Sequence, residues 1–265
     1  MKPKKTKTIV FADLDGTLLD KNYDCAEVKP IIRQLLSLSV SIILCSSKTK
    51  SEIEFFRKEL AISDPFIVEN GSAILVPENY FKTSYEYSKQ TKGYHIIELG
   101  CDYSTIRAKL VLVKERTGAS IVGFGDMNPE EIAKESGLPL RLARLAKNRE
   151  YDEPFKIVKG GEKEILREII NEGLCYTKGG RYIHILGNTD KGKAVIILKN
   201  IYSQTFSKIT TIGVGDAQND LPMLKVVDKP FWLGKKAHTN THNNVWQKIL
   251  SSAIICDCQR TSTNH

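Results

Sequence analysis

No stretch of this 265-residue chain approaches the roughly 20 consecutive apolar residues that a membrane-spanning helix requires. With 41% hydrophobic and 26% charged residues it has the make-up of an ordinary soluble protein, and no membrane partner is expected. The apolar stretch before Asp13 is also too short for the h-region of a secretory signal, so a cytoplasmic location is expected. Cysteines are scattered rather than clustered: the six of them suit reduced thiols, not a disulfide framework. The pair Cys256 and Cys258 has no second pair with which to complete a zinc site. Repeats and low-complexity segments are absent, and the tail beyond Cys256 has so little apolar content that it reads as frayed. Positive charge, in contrast, is in excess. The net charge of +8 comes partly from a Lys-rich start that reads as a solvated tail. Such a field raises encounter rates with anions, and by itself does not separate phosphorylated metabolites from nucleic acid.

The chain is longer than the roughly 100 to 150 residues typical of one domain, so a large domain with an insertion, or two domains, is expected. "KTIVFADLD" reads as a buried strand, an apolar β-branched run without helical period that ends in a Gly-containing turn. A helix follows over about residues 27–38, with Val28, Ile31, Ile32, Leu35 and Leu36 at 3,4 spacing, and "VSIILCSS" gives a second strand. A second helix begins near Lys50, and "PFIVENGSAILV" supplies short strands around the turn at Asn70 and Gly71. Alternating strands and helices predict a parallel sheet with helical crossovers. From about Tyr87 to Leu186 the rhythm changes to five candidate strands interleaved with three helices, an α+β pattern; "ITTIGVGD" and its flanking helices then resume the first rhythm. The chain is therefore expected to be α/β, with a Rossmann-like parallel-sheet core over residues 1–86 and 187–265 and an inserted α+β cap over residues 87–186.

In an open parallel sheet, ligands bind beyond the carboxyl ends of the strands. Asp13 and Asp15 stand at one such end, and Asp216 and Asp220 of "GVGDAQND" follow another. Carboxylates converging there repel one another unless a cation joins them, and hard oxygen ligands suit Mg²⁺. One carboxylate can then attack phosphorus while a neighbour handles protons, through an aspartyl-phosphate that water cleaves. In this reading Asp13 is the nucleophile and Asp15 the acid and base. Gly16 permits the tight turn, and Thr17 donates to phosphate or caps the next segment. Ser46, at the end of the second strand, offers a hydroxyl and backbone donors, with Ser47 beside it, and Lys191 at a helix start brings a permanent positive charge.

These motifs together resemble the haloacid dehalogenase superfamily of aspartate-nucleophile phosphatases, in its "DLDGTLL" form. The resemblance implies the same roles for Asp13, Asp15, Ser46 and Lys191, and makes Asp216 a metal ligand. Asn219 and Asp220 complete the "GDxxND" pattern that orders the metal shell and the lysine, and the backbone carbonyl of Asp15 is a further ligand. The stretch "VENGSAI" is similar to that leading into the cap of the Cof-type branch. Finer segments, "CSSKTKSEIE", "AKNREYDEPF", "TKGGRYIHILG" and "DKGKA", look like the mannosyl-3-phosphoglycerate phosphatases. Ser46 stands where a threonine is usual in that family, and the hydroxyl is retained.

A substrate with a sugar, a carboxylate and a phosphate needs a positive, hydrogen-bonding lid. "NREYDEPF" and "KGGRY" supply Arg149, Glu153, Lys178 and Arg181 with Gly179 and Gly180. The resemblance points to Arg149, Gly180 and Arg181 as substrate contacts, whereas His184, in an alternating strand, reads as packing. The expected activity is Mg²⁺-dependent removal of phosphate from mannosyl-3-phosphoglycerate to give mannosylglycerate. The alternative is another phosphosugar: glucosyl-3-phosphoglycerate, sucrose phosphate or hexose phosphates broadly. The expected partner is thus a small phosphosugar and not nucleic acid, with the oligomeric state open.

Overall fold

The computed structural model describes residues 6–234 and 244–253. Strand β1 (Thr6–Ala12) is followed by helix α1 (Lys29–Ser37), β2 (Ser41–Leu44), α2 (Lys50–Leu60), β3 (Phe66–Val68) and β4 (Ala73–Pro77). After β5 (Lys89–Thr91) and β6 (Tyr94–Glu98) come α3 (Tyr103–Thr117), β7 (Ser120–Gly123), α4 (Pro129–Ser136), α5 (Leu140–Ala146), β8 (Asp152–Lys159), α6 (Glu162–Asn171), β9 (Cys175–Lys178) and β10 (Ile183–Leu186). The chain closes with α7 (Lys191–Thr205), β11 (Lys208–Gly215), α8 (Leu221–Lys225), β12 (Lys229–Trp232) and a helix over residues 244–253, α9.

The expected parallel sheet is present, in the order β12-β11-β1-β2. β1 lies inside it, paired in parallel with β11 and β2, so its side chains are covered on both faces. That explains its unbroken apolar run. The pleat sends Val10, Ala12, Ile42 and Leu44 into one core layer with α1, α2 and α9, and Ile9, Phe11 and Ile43 into a second against α7. Two covered faces leave the carboxyl ends of the strands as the open edge.

A second, antiparallel sheet, β3-β4-β6-β5, is tied to the first by a bridge between Cys45 and Ile67. Strands β5 and β6 thus continue the sheet begun by β3 and β4, and the expected boundary at residue 87 falls inside it. The physical reason is the free edge of β4, which takes up β6 from Ala73 to Pro77. The third sheet, β7-β8-β10-β9, is antiparallel with α3 and α6 on one face. Ile121, Phe155, Ile185 and the apolar stripes of those helices form its core. Pro154 and His184 in the strands, with Tyr182 just before β10, point to the opposite face.

Four elements escaped the sequence pattern, the three-residue edge strand β5 among them. Helix α5 is seven residues long and follows Pro139, too short to show a period, yet Leu142, Ala143 and Ala146 close the first core layer. The exposed edge strand β12 has little apolar patterning. Helix α9 buries Trp246 and Ile249 in the same layer as α1. The expected frayed tail and the cysteines at 256 and 258 lie outside the described residues. Among the described residues no helix is long and apolar enough to cross a membrane.

Candidate active site

Asp13 follows β1 and extends its ladder by donating its N–H to the Val214 carbonyl at 3.0 Å. Asp216 follows β11 directly, so adjacency of the strands brings the two carboxylates together from opposite halves of the chain. Gly16, in the turn from Leu14 to Thr17, has φ +70°; a Cβ there would lie 2.4 Å from Asp216 Oδ2. Only glycine fits both the conformation and the space.

Lys191 begins α7, whose N-cap Asp190 accepts the Lys193 N–H. Its ammonium is fully buried and donates to Asp13 Oδ1 at 2.7 Å and to Asp220 Oδ1 at 2.6 Å. Burial alone would lower the pKa of Lys191, but Asp13 and Asp220 outweigh it and hold the ammonium well above its ordinary range. Asp13 is pushed up to about 8, first by burial and then, against the pull of Lys191, by Asp220, Asp15 and Asp216. Asp216 is pushed up to about 6 by burial and by Asp220.

Asp13, Asp216 and Asp220 each offer an oxygen, all within 4.8 Å of one another. This donor set fits a hard divalent cation, whose charge would relieve the repulsion raising two of the three. Asp220 is the most committed of them. Its Oδ1 holds Lys191, and its Oδ2 accepts the N–H groups of Asp216 and Ala217 at 3.0 Å each. Asn219 donates to Asn70 Oδ1 at 2.9 Å, leaving its own Oδ1 buried without a partner beside the carboxylates.

The side chain of Asp15 turns to Lys48, 3.0 Å away. Lys48 also pairs with Glu52 at 3.4 Å and lies 5.2 Å from the Tyr23 ring centroid. Sequence reasoning missed Lys48 because the run "KTKSE" looks like an exposed helix start. In the fold it is buried, its neighbours Asp15 and Glu52 holding the ammonium charged against burial. Thr17 is directed to Asp216, 3.5 Å away, and accepts the Trp246 indole N–H on its carbonyl. Ser46 is fully buried: its N–H donates to Ile67, its carbonyl accepts from Asn70, and its Oγ accepts the Lys48 N–H at 3.4 Å. Ser47 lines the cavity.

That cavity, about 290 Å³, lies between the carboxyl edge of the parallel sheet and the inner face of the β7-β8-β10-β9 sheet. Asp13, Asp15, Lys48 and Asp216 form its floor, with Arg149, Gly180, Arg181, Tyr182 and His184 above. Arg149 donates to the Ser47 carbonyl at 2.8 Å, pairs with Asp152, and stands 4.0 Å from Glu52. It therefore joins the two walls as well as facing the cavity. Arg181 donates to the Ser136 carbonyl, and no atom lies within 4 Å of where a Gly180 Cβ would stand. His184, read as packing, is buried and meets Asp152 at 3.0 Å while lining the cavity.

A buried junction underlies this arrangement. Glu69 accepts the backbone N–H groups of Glu150, Tyr151 and Asp152, and burial, together with Asp152, pushes its carboxyl up to about 8. Asn70, in the left-handed region at φ 61°, donates to Asp152 at 2.8 Å. The following Gly71, at φ +91°, brings its α-carbon so close to Asp190 that a Cβ would lie 2.2 Å from the Asp190 carbonyl oxygen. "ENG" thus links the segment before β8, the start of α7 and Asn219.

A buried carboxylate held by a buried lysine, with further carboxylates and an enclosed cavity at the carboxyl edge of an α/β sheet, is an arrangement that suits a hydrolase. The haloacid dehalogenase-like hydrolase family matches over residues 10–244, and the chain belongs to that family. It is 44% identical to a glucosyl-3-phosphoglycerate/mannosyl-3-phosphoglycerate phosphatase of Methanococcoides burtonii, across 86% of this chain and 85% of that one. It is also 39% identical to a mannosyl-3-phosphoglycerate phosphatase of Pyrococcus horikoshii, across 89% and 94%. In fold it is similar to a solved protein of Thermoplasma acidophilum, with a TM-score of 0.62 at 19% identity over 91% of this chain and 90% of that one. A subclass IIB sugar phosphatase of the same superfamily superposes with a TM-score of 0.60 at 17% identity, over 89% and 90%.

Proposed function

We propose that this chain removes the phosphate from a glycosyl-3-phosphoglycerate, mannosyl-3-phosphoglycerate foremost, yielding the glycosylglycerate. The observation that carries the chemistry is the placement of Asp13: buried, gripped on one oxygen by Lys191, and facing the cavity beside Asp15. The names of the relatives from Methanococcoides and Pyrococcus support the substrate.

Lys191 takes Asp13 Oδ1 and leaves Oδ2 to attack phosphorus. The P–O bond to glycerate breaks as the new bond forms, and the leaving oxygen takes a proton from Asp15, giving free alcohol and an aspartyl-phosphate. Asp15 then takes a proton from water; the hydroxyl attacks phosphorus, and the Asp13 carboxylate leaves with the electron pair, releasing phosphate. Lys48 and Lys191 balance negative charge at the two aspartates. Asp13, Asp216 and the backbone carbonyl of Asp15 would hold Mg²⁺, with Asn219 and Asp220 ordering the shell; the ion supplies positive charge to the phosphoryl oxygens. Ser47 and the buried Ser46 shape the phosphate loop, and Thr17 steadies Asp216. Arg149, Gly180 and Arg181 form the upper wall around the organic part of the substrate, and Arg149 locks that wall to the Ser47 loop. Enclosure keeps bulk water from the intermediate.

The test is a panel assay with Mg²⁺ on mannosyl-3-phosphoglycerate, glucosyl-3-phosphoglycerate, sucrose phosphate and hexose phosphates. The expected result is a kcat/KM for one or both glycosyl-3-phosphoglycerates at least about tenfold above the others. Equal rates across the panel would discard the substrate assignment.

A further inference from the structure

Buried polar atoms without partners are rare in folded proteins and destabilising when left so. Among the described residues, three such atoms lie on residues lining one cavity: Asp15 Oδ1, Asn219 Oδ1 and Tyr182 Oη. The first two belong to the floor, where the proposed phosphate and metal would answer them. Tyr182 is on the upper wall, just before β10, far from either role. Its ring is fixed, edge-on to Phe124 with centroids 5.0 Å apart and under the Lys156 ammonium at 5.1 Å, and its carbonyl accepts the Gly179 N–H at 3.0 Å. The neighbouring donors are already engaged: the Ser136 carbonyl takes both Tyr23 Oη at 3.3 Å and Arg181.

Tyr23, Phe124, Leu138 and Pro154 line the same cavity, and the charged groups acting on the phenol are Glu135 and Arg181. An apolar, partly aromatic wall with one unanswered hydroxyl suits a sugar ring, which has a C–H face and hydroxyls at its rim. A carboxylate is better served by the cations Arg181 and Lys48. Burial also pushes the Tyr182 phenol up to about 12, so it retains its proton at neutral pH.

We propose that Tyr182 is a specificity-determining residue whose Oη hydrogen-bonds one hydroxyl of the glycosyl group, in a subsite walled by Tyr23, Phe124, Leu138 and Pro154. The assignment rests on the glycosyl-3-phosphoglycerate reading above and adds to it the residue that distinguishes the glycosylated ester from the bare one.

Kinetics of the unaltered protein and of Tyr182→Phe on mannosyl-3-phosphoglycerate and on 3-phosphoglycerate test it, since the two esters differ by the glycosyl group alone. The phenylalanine keeps the ring and its packing on Phe124. The expected result is that the ratio of the two kcat/KM values falls about tenfold in the variant, as one hydrogen bond warrants, and mainly through KM for the glycosylated ester. A ratio within twofold of the unaltered protein's, or an equal loss on both esters, overturns the proposal. A series of monodeoxymannosyl substrates on the unaltered protein supplies a second measurement independent of the variant: one analogue should lose about tenfold, and Tyr182→Phe should cost that analogue nothing further. Uniform tolerance of every monodeoxy analogue also overturns it. The two readings fail in different ways. Absence of any preference for the glycosylated ester in the unaltered protein defeats the functional reading and this inference with it, whereas a preference that survives in Tyr182→Phe defeats this inference alone.

Discussion

The carboxyl of Asp13 combines two demands that conflict in the free protein. The proposed nucleophilic role needs it ionised, yet burial and three neighbouring carboxylates push it up to about 8 against the pull of Lys191. Asp13→Asn removes the proposed nucleophile and, with it, the cost of ionising this position. Turnover is therefore expected to fall by at least about a thousandfold, while the thermal midpoint of the metal-free protein stays equal to or above that of the unaltered chain. Calorimetry beside a phosphate-release assay checks both, and a midpoint lowered by more than about 5 °C would contradict the electrostatic part. Residues of this kind were legible in the sequence because each ends an apolar strand. Lys48 was not: nothing in "SSKTKSE" shows that Asp15 and Glu52 meet above it. Arg149 was legible as a residue of the upper wall. That it is also held by Asp152, Glu52 and the Ser47 carbonyl is a product of packing.

Helix α2 carries the loop that ends in Ser47 and Lys48, and its start is secured by a reciprocal cap. Thr49 accepts the Glu52 N–H at 3.2 Å, and Glu52 accepts the Thr49 N–H at 3.0 Å. The Thr49 hydroxyl also lies 3.0 Å from the Leu145 carbonyl, to which it can donate, tying α2 to the end of α5. Thr49→Ala should cost about 1–2 kcal/mol, measured by urea unfolding, with a loss of activity larger than for a solvent-exposed cap such as Asn128→Ala. In the upper unit, Asp126 is held at about 2: burial opposes ionisation, but hydrogen bonds from Arg107, the Gly123 N–H and Lys114 outweigh it. A depressed acid stabilises the fold above its ordinary pKa of 3.8, and that contribution disappears as the pH falls through about 2. Asp126→Asn should accordingly be less stable than the unaltered protein at pH 6, and the gap in thermal midpoint should close between pH 4 and 2. A gap independent of pH would show that the ion pairs contribute nothing. Among the elements, long periodic helices and buried strands were readable, whereas α5 and β12 carry too few residues to show a period, and their positions come from what they cover.

At the scale of the whole molecule, Asp13, Asp216 and Asp220 come from segments some two hundred positions apart, and only the folded chain assembles them. A cation bound there stabilises the native state alone. Adding Mg²⁺ to metal-free protein should raise the unfolding free energy by about 2.7 kcal/mol at a hundred times its Kd, and chelation should abolish turnover. Asp216→Asn should remove most of the thermal shift, and an undiminished shift in that variant would place the ion elsewhere. The same argument applies to the junction through Glu69 and Asn70, whose partners are more than eighty residues away.

The sequence by itself determined where the carboxylates stand: apolar runs that must be buried on both faces, each stopping at an aspartate, place them at the open edge of a parallel sheet. It also determined the interruption of that sheet, since alternation and helical spacing change through the middle of the chain. Only the tertiary structure decided which side chains are paired, which remain without a partner, and which wall each one joins. Lys48, Glu69, Asn70, Asp152 and Tyr182 acquire their roles from neighbours distant in the chain, and local patterning records burial and period but not the identity of the group across the gap.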